Sequence, residues 1–335
     1  MKKRILSLLL LVSLLSVVLS GCGDGSPEKA PESGNPTGGE AVQGGEITVG
    51  IAQDLDNSLD PHVAVAAGTK EVMFNVFEGL MKPAPSGDLI PAVAERYDLS
   101  EDRTTYTFTL RDGVTFHNGE PVTADDVVYS IQRCADASQG NPLVPAFSVI
   151  QSVEATDEKT VEITIAEPNN EFISYMTTAI LPRAYSEQAT APMGTGPFKF
   201  VSRVAQDTIV LERYEGYWGE KAALDKVTFK VIENADSLVL SLQSGAIDLC
   251  AHLTNTQVAQ LSDYNILEGT MNLVQALYLN NAAAPFDDVR VRQALCYAVD
   301  RQEILDLTAD GHGKIIGSSM YPAFQKYFVP ELAER

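Results

Sequence analysis

Apolar residues along the chain fall into two rhythms. Period-two alternation marks strands in Glu46–Asp54 (EITVGIAQD), in TYTFTL at 105–110, where Tyr106, Phe108 and Leu110 share a face, and in TVEITI at 160–165. TIVLERY (208–214), KVTFKVI (226–232), AIDLC (246–250) and ALYLNN (276–281) read as further strands. Helical spacing governs Val72, Met73, Val76, Phe77 and Leu80, a pattern that predicts one helix running to Lys82-Pro83. Asn170 to Ile180 also reads as helical, and Val127, Val128, Ile131 and Cys134 line one helical face. Thr123, with Asp126 three residues on, predicts a capping box for that helix, and Asn118-Gly119 predicts a tight turn before it. ADSLVLSLQSG predicts a helix stopped by Gly245, and DDVRVRQALCYAVDRQEIL an amphipathic helix capped by Asp287. Strands and helices mix without the strict alternation of a single parallel sheet, so the expected fold class is α/β with segregated lobes.

The first forty-five residues follow neither rhythm. Lys2, Lys3 and Arg4 precede an apolar run, Ile5 to Leu19, broken only by serines. Ser20 and Gly21 then lead into Cys22, so residues 1–21 read as a secretory signal, short for a membrane span. The LSGC stretch resembles the lipobox of bacterial lipoproteins, which implies acylation of Cys22 and an anchor in the cell membrane. Residues 22–45 are rich in Gly, Pro, Ser and Glu, with Val42 as the one large apolar side chain, and read as a flexible tether reaching roughly 25 Å.

Forty-five acidic residues against 24 Lys and Arg give a net charge of -21, and removing the signal makes it more negative. Such a surface excludes nucleic acid as a partner and electrostatic adhesion to anionic lipid. Beyond Cys22 the cysteines are Cys134, Cys250 and Cys296, unpaired by any CxxC spacing, and read as small buried hydrophobes. His62, His117, His252 and His312 show no HxH, HExxH or i,i+4 pairing, so no metal site and no cofactor is expected from the chain's own spacing. GxSxG and HExxH are lacking, and GTGPF (194–198) has no Lys-Ser/Thr ending, so the expectation is a binding protein, not an enzyme. Asp125, Asp126, Glu120 and His117 are accounted for by cap and turn chemistry, and Trp218 by packing.

Eight segments in order, SLDPH (58–62), FEGLM (77–81), TYTFTLRDGVTFHNGEPVTADDVVYS (105–130), GTGPFKF (194–200), IVLERYEGYWG (209–219), LDKVTFKVI (224–232), LQSGAID (242–248) and PFDDVRVRQALCYAVDR (285–301), resemble the family 5 solute-binding proteins of ABC importers. That family includes oligopeptide, dipeptide and nickel binding lipoproteins. The resemblance implies a periplasmic-binding-protein-like, type II Venus-flytrap fold. It implies a first lobe from 46–62 and 185–275, an inserted α+β lobe from 63–184, and a second ligand-clamping lobe that begins near 276 and is incomplete at Arg335. It further implies an extracytoplasmic carrier of short peptides or metal chelates, with permease and ATPase subunits as partners; a surface sensor lipoprotein is the reading outside transport. The segments after LDP and after SGxID line the cleft in the family, which implies ligand contacts from His62, Val65, Ala67, Ala251 and His252. Phe147 and Tyr278 are implied as aromatic contacts from the inserted and second lobes. For His252 a hydrogen bond to ligand, a bond to a metal chelate, and a satisfied hinge side chain stay open.

Overall fold

The computed structural model describes residues 43–138, 140–269, 274–322 and 328–334. The expected signal, the lipidation site Cys22 and nearly all of the tether lie outside them. Residues 44 and 45 are not part of a free tether: Gly44 donates to the Ala223 carbonyl and Gly45 to the Asp225 carboxylate, tying the start of the body to a loop 180 residues on.

Two sheets organise the chain. The strands are β1 (Glu46–Ile51), β2 (Met81–Pro83), β3 (Leu89–Pro91), β4 (Ala94–Leu99), β5 (Thr105–Leu110), β6 (Ile150–Ala155), β7 (Thr160–Ile165), β8 (Phe198–Val204), β9 (Thr208–Arg213), β10 (Lys226–Val231) and β11 (Leu249–Cys250). The helices are α1 (Ala67–Met73), α2 (Ala124–Ala135), α3 (Ala235–Gln243), α4 (Asn255–Val258), α5 (Val289–Ala298) and α6 (Arg301–Ala309). The five-stranded sheet has the order β11-β1-β10-β9-β8; β1 pairs in parallel with both β10 and β11, and the rest is antiparallel. The four-stranded sheet, β4-β5-β7-β6, is antiparallel throughout, and β2–β3 is a separate hairpin.

Alternation dictates the four-stranded sheet. Tyr106, Phe108 and Leu110 of β5 and Val161, Ile163 and Ile165 of β7 are buried, while the residues between them are partly open. Their shared face is covered by Val127, Ile131 and Cys134 of α2. Each large side chain so buried contributes roughly 1.5–3 kcal/mol. The capping box starts α2 as expected: Thr123 Oγ1 accepts from the Asp126 N–H, and the Asp126 carboxylate accepts from the Thr123 N–H.

The helix expected from Val72 to Leu80 is shorter. α1 ends at Met73, although all five apolar residues are buried. The chain leaves the helix because its carbonyls are needed elsewhere: Gly196 donates to the Val76 carbonyl and Phe198 to that of Asn75. A Cβ at Gly194 would lie 2.2 Å from the Val76 oxygen, and one at Gly196 2.5 Å from the Asn75 oxygen. Burial was encoded in the spacing; the backbone partner was not.

Other elements also differ from expectation. Residues 170–180 form only a 3-10 turn, Phe172–Thr177. ALYLNN forms no strand. The long C-terminal helix is two: Asp288, not Asp287, caps α5 by accepting from Arg290 N–H, and Asp300 starts α6 by accepting from Glu303 N–H. Neither helix has a buried residue, so Cys296 is exposed, against its expected burial; Cys250 is half-buried and Cys134 buried, with burial pushing the Cys134 thiol up to about 12.

Two stretches of chain, 72–80 and 176–181, contribute to both cores. Val72, Met73, Val76, Phe77, Ala179 and Leu181 pack with Val49, Ile209, Leu211 and Val227 of the five-stranded sheet. Leu80 and Met176 join the core of the four-stranded one. Around residues 176–181 the side chains alternate between the two cores, Met176 and Ile180 in one, Ala179 and Leu181 in the other. No helix among the described residues is long and apolar enough to cross a membrane.

Candidate functional site

Three parallel strands, β11, β1 and β10, end on the same side of the five-stranded sheet, so the loops that follow them converge. In open α/β sheets this carboxyl edge is where ligands are held. Here it gathers the segment from Ala52 to α1 and the segment 251–253 after β11.

Charged groups fix the first of these segments. Arg203 on β8 donates to the carbonyls of Leu55 and Asp56 at 2.8 and 2.6 Å and lies 3.0 Å from the Asp54 carboxylate. Burial raises the Asp54 carboxyl, but the N–H groups of Gln206 and Leu55, with Arg203, outweigh it and hold it below its usual range. Asp56 accepts from the N–H groups of Ala66 and Val65 at 2.9 and 3.0 Å, and its own N–H donates to Thr69 Oγ1. These bonds, that of Ala66 foremost, depress the Asp56 pKa. Asp56 thus sets the entry to α1, whose cap residue Ala66 has no side chain for the purpose.

Several of the expected contact residues meet on this edge. Val65 is 80% exposed, and Ala67 opens α1 on its solvent side. One turn on, Glu71 faces the same way. The exposed Ala251 and His252 follow β11, and His252 Nε2 lies 3.0 and 3.2 Å from the two Glu71 oxygens. His252 has a left-handed backbone, φ +59°. Glu71 was not among the residues expected from the sequence; its signal was the polar side of α1, opposite Val72 and Met73.

Three expected contacts lie elsewhere. His62 is buried: Nε2 donates to the Ala179 carbonyl at 2.8 Å, and Nδ1 accepts from Arg133 at 2.9 Å. Arg133 on α2 also forms a two-pronged pair with Asp60, 3.1 and 2.6 Å. His62 is therefore a connector between the two cores, its pKa lowered by burial above all. Phe147 is 1% exposed in the four-stranded core, its ring against Phe172, because the turn begun by Pro145 points it inward. Tyr278 is 89% exposed in an irregular segment.

His117 is held by a distant loop and not by the local turn chemistry expected of it, and Trp218 packs against the four-stranded core. His117 accepts from Gly194 N–H and donates to the Gly196 carbonyl. Trp218 Nε1 donates to the buried Glu78, beneath Arg111 and Lys82. No group of three or more His, Cys, Asp or Glu among the described residues is arranged to hold a metal ion.

Residues 88–334 match the model of the bacterial extracellular solute-binding proteins, family 5 Middle. Haem-binding protein A of Haemophilus influenzae is 31% identical over 72% of this chain and 50% of its own length. Dipeptide-binding protein DppE of Bacillus subtilis is 27% identical over 92% of this chain and 61% of its own. The crystal structure of the ABC transporter substrate binding protein CtaP from Listeria monocytogenes superposes with a TM-score of 0.77 at 30% identity, covering 86% of this chain and 62% of that one. The chain thus spans half to about three fifths of the length of these relatives, and its α/β fold is of the type II periplasmic-binding-protein kind. The chain belongs to the bacterial extracellular solute-binding proteins of family 5.

Proposed function

We propose that this protein is the extracytoplasmic, lipid-anchored substrate-binding component of an ABC importer and that it captures short peptides. The observation that carries the reading is the open edge beyond β1 and β11, where Val65, Ala67, Glu71, Ala251 and His252 are presented on a braced backbone. Capture needs no chemistry: a ligand that contacts this edge and a facing lobe more strongly in the closed form shifts the protein toward closure, and the closed form docks on its permease. The first lobe is assigned to the five-stranded sheet with α1, the inserted lobe to the four-stranded sheet, and a second ligand-clamping lobe to the chain from about 276 onward. The named function of DppE favours a peptide. Cys22 carries the acyl anchor in this reading.

A second reading takes a metal chelate in place of the peptide, favoured by the imidazole of His252 on the edge and by the named haem ligand of a relative.

Thermal unfolding of the chain carrying Cys22→Ala, titrated with di- to pentapeptides, tests the capture reading. At one hundred times the dissociation constant a native-state ligand adds about 2.7 kcal/mol. A peptide-dependent rise supports the first reading, a rise with a nickel–histidine chelate alone the second, and no rise with either defeats both. Membrane association lost in Cys22→Ala tests the anchor.

A further inference from the structure

The face of α2 turned away from the four-stranded sheet carries a recess that the capture of a ligand at the open edge leaves unused. Tyr129, Gln132, Arg133 and Asp136, at i, i+3, i+4 and i+7, line a cavity of about 420 Å³. It lies along the seam of the two cores. Val127, Ile131 and Cys134 hold α2 to the four-stranded sheet, while Tyr129 packs with the core of the five-stranded one and Arg133 grips Asp60. None of the four lining residues belongs to the edge beyond β1 and β11.

Arg133 keeps unused donors in this recess. A guanidinium carries five N–H groups. Both on Nη1 are engaged, with Asp60 Oδ1 at 3.1 Å and His62 Nδ1 at 2.9 Å, and one on Nη2 is engaged with Asp60 Oδ2 at 2.6 Å. The Nε–H and the second Nη2 hydrogen share the remaining edge of the guanidinium, the side-on fork that takes a carboxylate in two parallel bonds. Neither meets an acceptor among the described residues. Arg203 Nε is also unpaired but sealed from solvent, whereas Arg133 Nε is not sealed.

The charges around the fork decide what can fill it. Asp60 already balances Arg133, and Asp136 adds a further negative charge, kept ionised by the Ser138 N–H and hydroxyl at 2.8 and 3.0 Å. A bare anion would therefore meet net repulsion. Asp136 also ends α2, where the helix dipole favours a cation. Gln132 turns its amide nitrogen to the Val153 carbonyl at 3.3 Å, which leaves Oε1 as an acceptor. We propose that this recess binds a free α-amino acid, with its carboxylate on the Arg133 fork, its ammonium against Asp136 and Gln132 Oε1, and its side chain along Tyr129. Every contact is non-covalent and no proton is transferred. The site is independent of what the open edge captures.

The test is calorimetric titration of the full chain in detergent with L-phenylalanine, N-acetyl-L-phenylalanine and phenethylamine, and separately with a mixed dipeptide pool. Phenylalanine is the probe because its ring can pack on that of Tyr129. It is expected to bind about tenfold or more tightly than either analogue, since one lacks the ammonium and the other the carboxylate. Asp136→Asn should weaken L-phenylalanine by about tenfold or more and tighten the N-acetyl analogue, so that the preference between them disappears. Arg133→Lys keeps a charge for Asp60 without the fork and should lose L-phenylalanine. Asp136 is exposed, so Asp136→Asn is expected to melt as wild type and carries the test even where Arg133→Lys fails to fold. The absence of L-phenylalanine binding overturns the proposal, as does binding that Asp136→Asn leaves unchanged or an N-acetyl analogue that binds the wild-type chain equally well. If dipeptides bind wild type and Asp136→Asn alike while L-phenylalanine does not bind, the inference falls and the capture reading stands. L-phenylalanine binding of the expected pattern without any peptide binding upholds the inference and defeats peptide capture.

Discussion

Gly194 and His117 hold each other twice: the His117 N–H donates to the Gly194 carbonyl at 3.0 Å, and the Gly194 N–H donates to His117 Nδ1 at 3.3 Å. The clasp presses residues 194–196 against the backbone of 75–76, too close for any side chain at either glycine. Gly194→Ala and Gly196→Ala are each expected to cost about 2 kcal/mol or more, since the clash is with backbone carbonyls that cannot rotate away. Urea unfolding midpoints of the two variants, compared with Gly68→Ala, where an added Cβ meets nothing and φ is not positive, check this. Equal midpoints for Gly194→Ala and wild type would contradict it.

The same clasp makes stability depend on pH. Burial, outweighing the bond to the Gly196 carbonyl, takes the His117 pKa from 6.5 down to about 4. The folded state therefore favours neutral imidazole, and the unfolded chain takes up the proton first. The contribution of His117 is fully present above pH 6.5 and is lost as pH falls from there through about 4. A shift of this size corresponds to roughly 3 kcal/mol. His62 is shifted in the same direction and adds to the loss. Urea midpoints at pH 7.5, 5.5 and 4.5 should fall steeply in wild type and less in His117→Asn.

Arg133 joins the two cores through charge. Its guanidinium grips Asp60, which is 6% exposed, and supplies the donor for His62 Nδ1. Arg133→Met keeps the stem but leaves a buried carboxylate facing only the His62 N–H, together with an unfilled imidazole acceptor. The expected loss is about 3 kcal/mol, because the cost is set by the orphaned charge. Adding Asp60→Asn should recover part of it. A double variant as unstable as the sum of the singles would show that the pair is not coupled.

In the four-stranded sheet β5 and β7 were readable because each alternates without a break and carries its core on one face; β4 and β6, mostly exposed and without that alternation, were not. The α2 cap was readable because Thr123 and Asp126 are local partners. The failures are places where a distant partner decides. Nothing within Val72–Leu80 announces that the carbonyls of 75 and 76 must serve Gly196 and Phe198. His62 looked like a cleft residue because it follows LDP, but Ala179 and Arg133, 117 and 71 residues away, take both its nitrogens. Phe147 has the residue type of a ligand platform, and burial is settled by Phe172 on another element. On the open edge, Val65, Ala67 and His252 were within reach of family resemblance. Glu71 was not, because its role exists only once α1 stands beside the end of β11.

Glu78 gives the fold a built-in optical reporter. Its buried carboxylate accepts from Tyr217 Oη at 2.7 Å, Trp218 Nε1 at 2.8 Å and Lys82 Nζ at 3.0 Å, and the Tyr217 pKa is raised by burial and by this charge. Trp218 is the only tryptophan in the chain, so its fluorescence reads this one cluster. Glu78→Leu removes the common acceptor, leaving the indole N–H and the Tyr217 O–H without an acceptor, although Tyr217 Oη still accepts from Lys82, and leaving Lys82 without its counter-ion. Each unpaired neutral group costs about 1–3 kcal/mol, so a loss of at least 2 kcal/mol is expected. Glu78→Gln keeps one carbonyl acceptor and should lose less. In both variants the native emission should change while the unfolded emission stays fixed, because only the folded state brings residues 78 and 218 together. A Glu78→Leu variant with wild-type emission and stability would mean that the carboxylate does not organise the cluster.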